Sequence, residues 1–162
     1  MKSIFTIMIT LFLVSTGVTQ SKIDAKDFET LNNTSWKGTL MYKDYTSGKK
    51  TVLQTTMQVS IKENKFITDV QYTYEPEANS RQRIKIKKGG TYFGSEKVVE
   101  KEVQNDGSIK FVTVFKGKDN NKKATMYKTY FFSADKISIT KEVQYIDSKE
   151  KFIRNKQTYS RI

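Results

Sequence analysis

Thr55-Thr56-Met57-Gln58-Val59-Ser60-Ile61-Lys62-Glu63-Asn64-Lys65-Phe66-Ile67-Thr68-Asp69-Val70-Gln71-Tyr72 decides the fold. Thr55, Met57, Val59 and Ile61 alternate with Thr56, Gln58, Ser60 and Lys62. Phe66, Thr68, Val70 and Tyr72 alternate with Ile67, Asp69 and Gln71. A period of two places one side of each segment against a core and the other in water. Glu63-Asn64-Lys65 supplies the turn between them. Two strands joined by so short a link must be antiparallel neighbours.

The same pattern extends in both directions. Strands are expected at Trp36–Lys43, Thr51–Lys62, Phe66–Glu75, Gln82–Lys88, Glu96–Val103, Ser108–Lys116, Lys123–Ser133, Lys136–Tyr145 and Phe152–Arg161. Turn-forming runs separate them, among them Asn105-Asp106-Gly107 and Asp119-Asn120-Asn121. Pro76, the single proline, falls in such a run, where no ladder donor is lost. No segment offers a crossover helix, so a parallel sheet is excluded. The expected fold is all-β, an antiparallel up-and-down meander of about eight to ten strands closing into a barrel. A short helical segment, Ile23 to Asn33, precedes it, with Asp24 as N-cap and Phe28 and Leu31 three apart.

Met1 to about Thr19 has the layout of a secretory signal peptide: Lys2, an apolar run from Ile4 to Val14, then small and polar residues. The run is short for a bilayer span, which needs ~20 apolar residues. The expected organisation is a signal at 1–19 and one exported barrel domain at 20–162, periplasmic or extracellular, with no transmembrane segment in the mature chain. With no cysteine anywhere, N-terminal lipoprotein acylation and disulfide scaffolds are both excluded.

The absence of histidine and cysteine restricts the chemistry further. Ser-His-Asp and Cys-His catalysis, His/Cys zinc sites and His-ligated haem are all ruled out. Glu100 and Glu102 share a strand face, but Lys97, Lys101 and Val103 are interleaved with them, the pattern of a solvated edge. Asp119-Asn120-Asn121 lacks the spaced ligands of a calcium loop. No cofactor, metal or catalytic residue is expected.

Charge gives a second constraint: 29 basic residues face 17 acidic ones, a net of +12. Only Arg81, Arg83, Arg154 and Arg161 are arginine, the residue suited to bidentate phosphate recognition. Nucleic acid is therefore disfavoured, and the lysines read first as a solubilising coat. The strand 82–88 is more pointed: Arg81, Arg83, Lys85 and Lys87 alternate with Gln82, Ile84 and Ile86. Burying an unpaired charge is costly, so the isoleucines should face inward and leave a basic patch outside. Such a patch would suit an anionic lipid or glycan.

Aromatic residues concentrate in the strands and supply both apolar area and hydrogen-bonding tips. Phe66, Val70, Tyr72, Phe111, Phe115, Tyr130 and Phe132 are the expected wall of an interior cavity.

The short helical segment, the early tryptophan in Asn33-Thr34-Ser35-Trp36-Lys37-Gly38 and the basic residues of the last strand together resemble the calycin superfamily, the lipocalin and fatty-acid-binding-protein barrels. Thr34 stands where the Gly-x-Trp motif has glycine. The resemblance implies that Trp36 plugs one barrel end beneath an arginine of the final strand, Arg154 or Arg161. The expected function is non-enzymatic binding of a small hydrophobic or amphipathic molecule. The alternative is a dry barrel acting as an interaction scaffold through its basic face.

Overall fold

The stretch at 55–72 forms β2 (Lys50–Lys62) and β3 (Lys65–Tyr72), with Ile61 opposite Phe66 and Met57 opposite Val70. The computed structural model describes residues 21–162, so the segment expected to be a signal peptide lies outside the described residues. Around this pair run β1 (Thr34–Lys43), β4 (Ser80–Lys87), β5 (Tyr92–Phe93), β6 (Glu96–Val103) and β7 (Ile109–Asp119). β8 (Lys122–Phe132), β9 (Lys136–Tyr145) and β10 (Phe152–Arg161) complete the set. Every neighbour is antiparallel, and β1 pairs with both β2 and β10, closing a ten-stranded up-and-down barrel. The extra strand over the sequence reading is the two-residue β5. Among the described residues, no helix is long and apolar enough to cross a membrane.

Local chemistry explains the closure. Asn120 and Asn121 both adopt positive φ, the primed turn whose twist matches the flanking strands. On β1, a Cβ at Gly38 would come within 2.0 Å of the Thr158 carbonyl oxygen and 2.7 Å of Tyr159 Cδ1. Only glycine lets β1 approach β10 this closely, and that approach seals the cylinder.

One end of the barrel is filled by a 3-10 helix, Ala25–Leu31. Asp24 caps it, accepting from the Lys26 N–H, while Asp27 accepts from the Asp24 N–H. The helix drives Phe28 and Leu31 into the interior, both completely buried. The Phe28 ring lies 5.4–6.0 Å, centroid to centroid, from Phe66, Phe93, Phe111 and Phe132. Lys101 on β6 holds the helix from outside this cluster, 2.7 Å from the Asp27 carboxylate. The sequence reading placed Lys101 on the solvated side with Lys97. A bulge between Val98 and Glu100 shifts the phase and brings it to the face of Val98 and Phe111.

The opposite end has a smaller apolar group of Ala124, Met126 and Val143, packed with Phe115, Tyr145 and Phe152. Above it sits Asp119, which accepts hydrogen bonds from the Tyr45 and Tyr145 hydroxyls. Arg154 Nε lies 3.5 Å from the same carboxylate, and its guanidinium stacks 4.1 Å from the Tyr45 ring centre. The β1–β2 loop is thereby fastened over this end.

Candidate functional site

Between the two apolar ends lies a cavity of about 270 Å³. Its apolar wall is Met57, Phe66, Val70, Ile84, Tyr130 and Ile139; its polar wall is Thr68, Gln82, Lys128, Lys141, Asn155 and Gln157. Each comes from the inward phase of its strand, as the ladders require: Met57 faces Val70, Tyr130 faces Ile139, and Lys128 faces Lys141.

The barrel wall is incomplete beside this cavity. β5 pairs with β4 only at Ile86 and Lys87, and β6 meets β7 only from Lys97 onward. The Ser80–Ile84 edge of β4 and the Phe115–Asp119 edge of β7 therefore have no ladder partner on this side. The hydrogen-bond ladder has a notch between them, and Gln82 and Ile84 on its β4 side line the cavity. Arg81 and Arg83 stand exposed on the outer face of one rim, Lys116 and Lys118 on the other.

Inside, Glu96 organises a half-buried polar cluster. Its Oε2 accepts from the Thr113 hydroxyl at 2.6 Å and the Tyr130 hydroxyl at 3.1 Å, and its Oε1 lies 2.5 Å from Lys128 Nζ. Burial, then the Glu96 charge, raises the Tyr130 hydroxyl well above its ordinary pKa. Lys128 is thus paired with a carboxylate, but Lys141, its cross-strand neighbour, is not. Among the described residues, no ion pair or side-chain hydrogen bond uses the Lys141 amine. Burial lowers its pKa, opposed by Asp119 and reinforced by Lys128. A polar cluster inside the cavity was not expected from the alternation. It arises because Lys128 and Lys141 share the inward phase with Tyr130 and Ile139.

The residues named from sequence divide between several places. Phe66, Val70 and Tyr130 line the cavity. Phe111 and Phe132 are instead buried in the aromatic cluster under the helix. Phe115 belongs to the apolar group at the far end, and Tyr72 is half-buried against the main core. Arg81, Arg83, Lys85 and Lys87 are exposed on the outer face, while Ile84 and Ile86 face inward. Trp36 is fully buried at the helix end and donates from Nε1 to Thr34 Oγ1 at 2.7 Å. Arg161 lies across the ladder from Trp36 and donates to the Ala134 carbonyl. Arg154 works at the other end, on Asp119. Thr34 is thus the tryptophan's hydrogen-bond partner at the position where the motif has glycine.

The described residues contain no group of three or more carboxylate, His or Cys side chains able to hold a metal ion. No family model matches the sequence, and no characterised protein matches it significantly.

Proposed function

We propose that the barrel is a container for one small amphipathic molecule, admitted through the notch between β4 and β7. The observation that carries this reading is the two-sided cavity of about 270 Å³. Ligand pockets span roughly 300–1,000 Å³, and this cavity lies just below that range, so the ligand must be small. Its apolar part packs on Met57, Val70, Ile84 and Ile139, and its polar end meets the amide and amine groups of Gln82, Asn155, Gln157 and Lys141. Gln82 is exposed, and Lys141, Asn155 and Gln157 are half-buried, so this polar side stays within reach of water while Met57 and Val70 on the apolar wall are buried.

Equilibrium binding of a small fluorescent amphiphile tests this, with Val70→Trp as the cavity-filling variant. The wild type should bind one equivalent and the folded variant none. Equal binding by both would place the probe elsewhere and end this reading.

A second reading rests on the outer face. Lys62, Lys65 and Lys85 stand directly opposite one another across β2, β3 and β4. Like charges in register are unfavourable, and Glu63 is, among the described residues, the one acid within ion-pair reach of this row. Such a row suits an anionic lipid surface. Adsorption to anionic vesicles that ignores salt would remove it, since exposed charges are screened within ~10 Å at 0.1 M.

A further inference from the structure

Lys128 and Lys141 are direct cross-strand partners on the inner face of β8 and β9. Opposed side chains in such a ladder have Cβ atoms ~5 Å apart, close enough that two ammonium groups repel. One member can relieve the repulsion by remaining neutral, and the surroundings decide which. Glu96 lies against Lys128, its Oε1 2.5 Å from the Lys128 Nζ. Lys141 lies on the wall of the cavity, two residues from Ile139. Its charged surroundings are Lys128 and Arg154, which disfavour its protonation, and Asp119 and Glu96, which favour it; burial is the largest influence and lowers its pKa. Both carboxylates are already engaged, Glu96 by Lys128 and Asp119 by Arg154 and two tyrosines. Desolvation and a neighbouring cation are the two devices by which a lysine amine becomes nucleophilic at neutral pH.

We propose that Lys141 is a nucleophilic amine that captures small hydrophobic aldehydes in the barrel cavity as an imine. The idea rests on the interior being a ligand chamber and names the class of ligand that chamber takes. The neutral Nζ attacks the carbonyl carbon, forming the C–N bond while the π pair moves to oxygen. A proton passes from nitrogen to oxygen to give the carbinolamine. Loss of water then breaks the C–O bond and forms C=N, so the carbonyl oxygen leaves with both amine protons. Nothing is oxidised or reduced, and hydrolysis reverses the step. Lys128, charged and across the ladder, can lend a proton to the departing hydroxyl and take it back from the iminium. The apolar wall of Met57, Val70 and Ile84 receives the aldehyde's hydrocarbon part.

Two probes of nearly equal size separate this idea from the reading beneath it: 2-naphthaldehyde, which can form an imine, and 2-naphthalenemethanol, which cannot. The full barrel is incubated with limiting aldehyde and cyanoborohydride, which fixes an imine as a secondary amine, and the label is mapped by peptide mass spectrometry. One naphthylmethyl group is expected, on Lys141, formed several-fold faster than on any surface lysine, since a lowered pKa raises the neutral fraction of the amine. Lys141→Met should lose this label while keeping the wild-type circular dichroism spectrum, which shows that the variant is folded. Lys128→Met should slow labelling, because it frees Glu96 to pair with Lys141 and keep it protonated. Labels spread over surface lysines, with Lys141 not preferred while the alcohol still binds, would overturn the nucleophile and leave the chamber standing. Absence of both the preferred label and alcohol binding would overturn both.

Discussion

Lys128 and Lys141 face one another across the β8–β9 ladder, and only Lys128 has a carboxylate against it. The asymmetry has a consequence for stability. A lysine whose pKa is lowered on folding binds fewer protons in the native state than in the unfolded chain. It therefore costs stability at pH values below its folded pKa. That cost disappears as pH rises through the folded value toward the ordinary 10.5. Lys141→Met should stabilise the barrel at pH 7 in urea denaturation, and the gain should shrink as pH approaches 10.5. A variant less stable than wild type at neutral pH would mean that the amine is held by a partner.

Tyr130 gives the opposite sign. Burial and the adjacent Glu96 raise its pKa well above 10.0, and Tyr159 and Tyr72 shift the same way, chiefly through burial. A raised pKa contributes stability that is fully present below the unfolded value and is lost as pH climbs through the folded value. Alkaline unfolding should therefore begin above pH 10, accompanied by the appearance of tyrosinate absorbance. Tyr130→Phe should lose about 1 kcal/mol at neutral pH, one hydrogen bond's worth, but decline less steeply above pH 10. An alkaline limb as steep as the wild type's would assign the effect to the other tyrosines.

Phase explains what was legible in the sequence and what was not. Alternation at 55–72 and 109–115, with turn residues between, gave the strand positions and hence the barrel. Trp36 and the Asp24-capped turn gave the plugged end. Alternation also assigns an inward face to each strand, and charged residues share that phase with the aromatic ones. Lys128 lies two positions before Tyr130, and Lys141 two after Ile139, so both were readable as inward. What hid them was the expectation that lysine stays in water. Lys101 is a different case, because a bulge after Val98 breaks the count and nothing in the local sequence announces it. The division between cavity wall and aromatic plug was also hidden, since Phe66 and Phe132 share one inward phase. Which of them meets open space depends on how deep Phe28 reaches.

The rims of the notch should control how a ligand enters. Arg81 and Arg83 flank one side, Lys116 and Lys118 the other, all exposed. Cations around an opening raise the encounter rate of anions and leave neutral molecules unaffected. Arg81→Ser combined with Arg83→Ser should slow stopped-flow association of a naphthalenesulfonate probe several-fold at low salt, with the difference fading as salt rises. Association of the neutral naphthalene alcohol should be unchanged. If both probes slow equally, the arginines shape the opening rather than steer through it.

Phe28 tests whether the helix is a plug or an ornament. It belongs to no strand, yet it is completely buried and packs edge-on against Phe66, Phe111 and Phe132. Truncating a buried phenylalanine costs ~3–5 kcal/mol through lost transfer energy and the void left behind. Small domains hold ~5–15 kcal/mol in total, so Phe28→Ala should remove a large part of the barrel's stability. Lys101→Met, which releases the latch at Asp27 but leaves the ring in place, should cost far less, because that ion pair is partly solvated. A thermal or urea midpoint shifted equally by both substitutions would show that the salt bridge, and not the aromatic contact, seats the helix. The aromatic contact is the stronger of the two on physical grounds, because the ring contacts four others in a dry interior and the ion pair has water as a competitor.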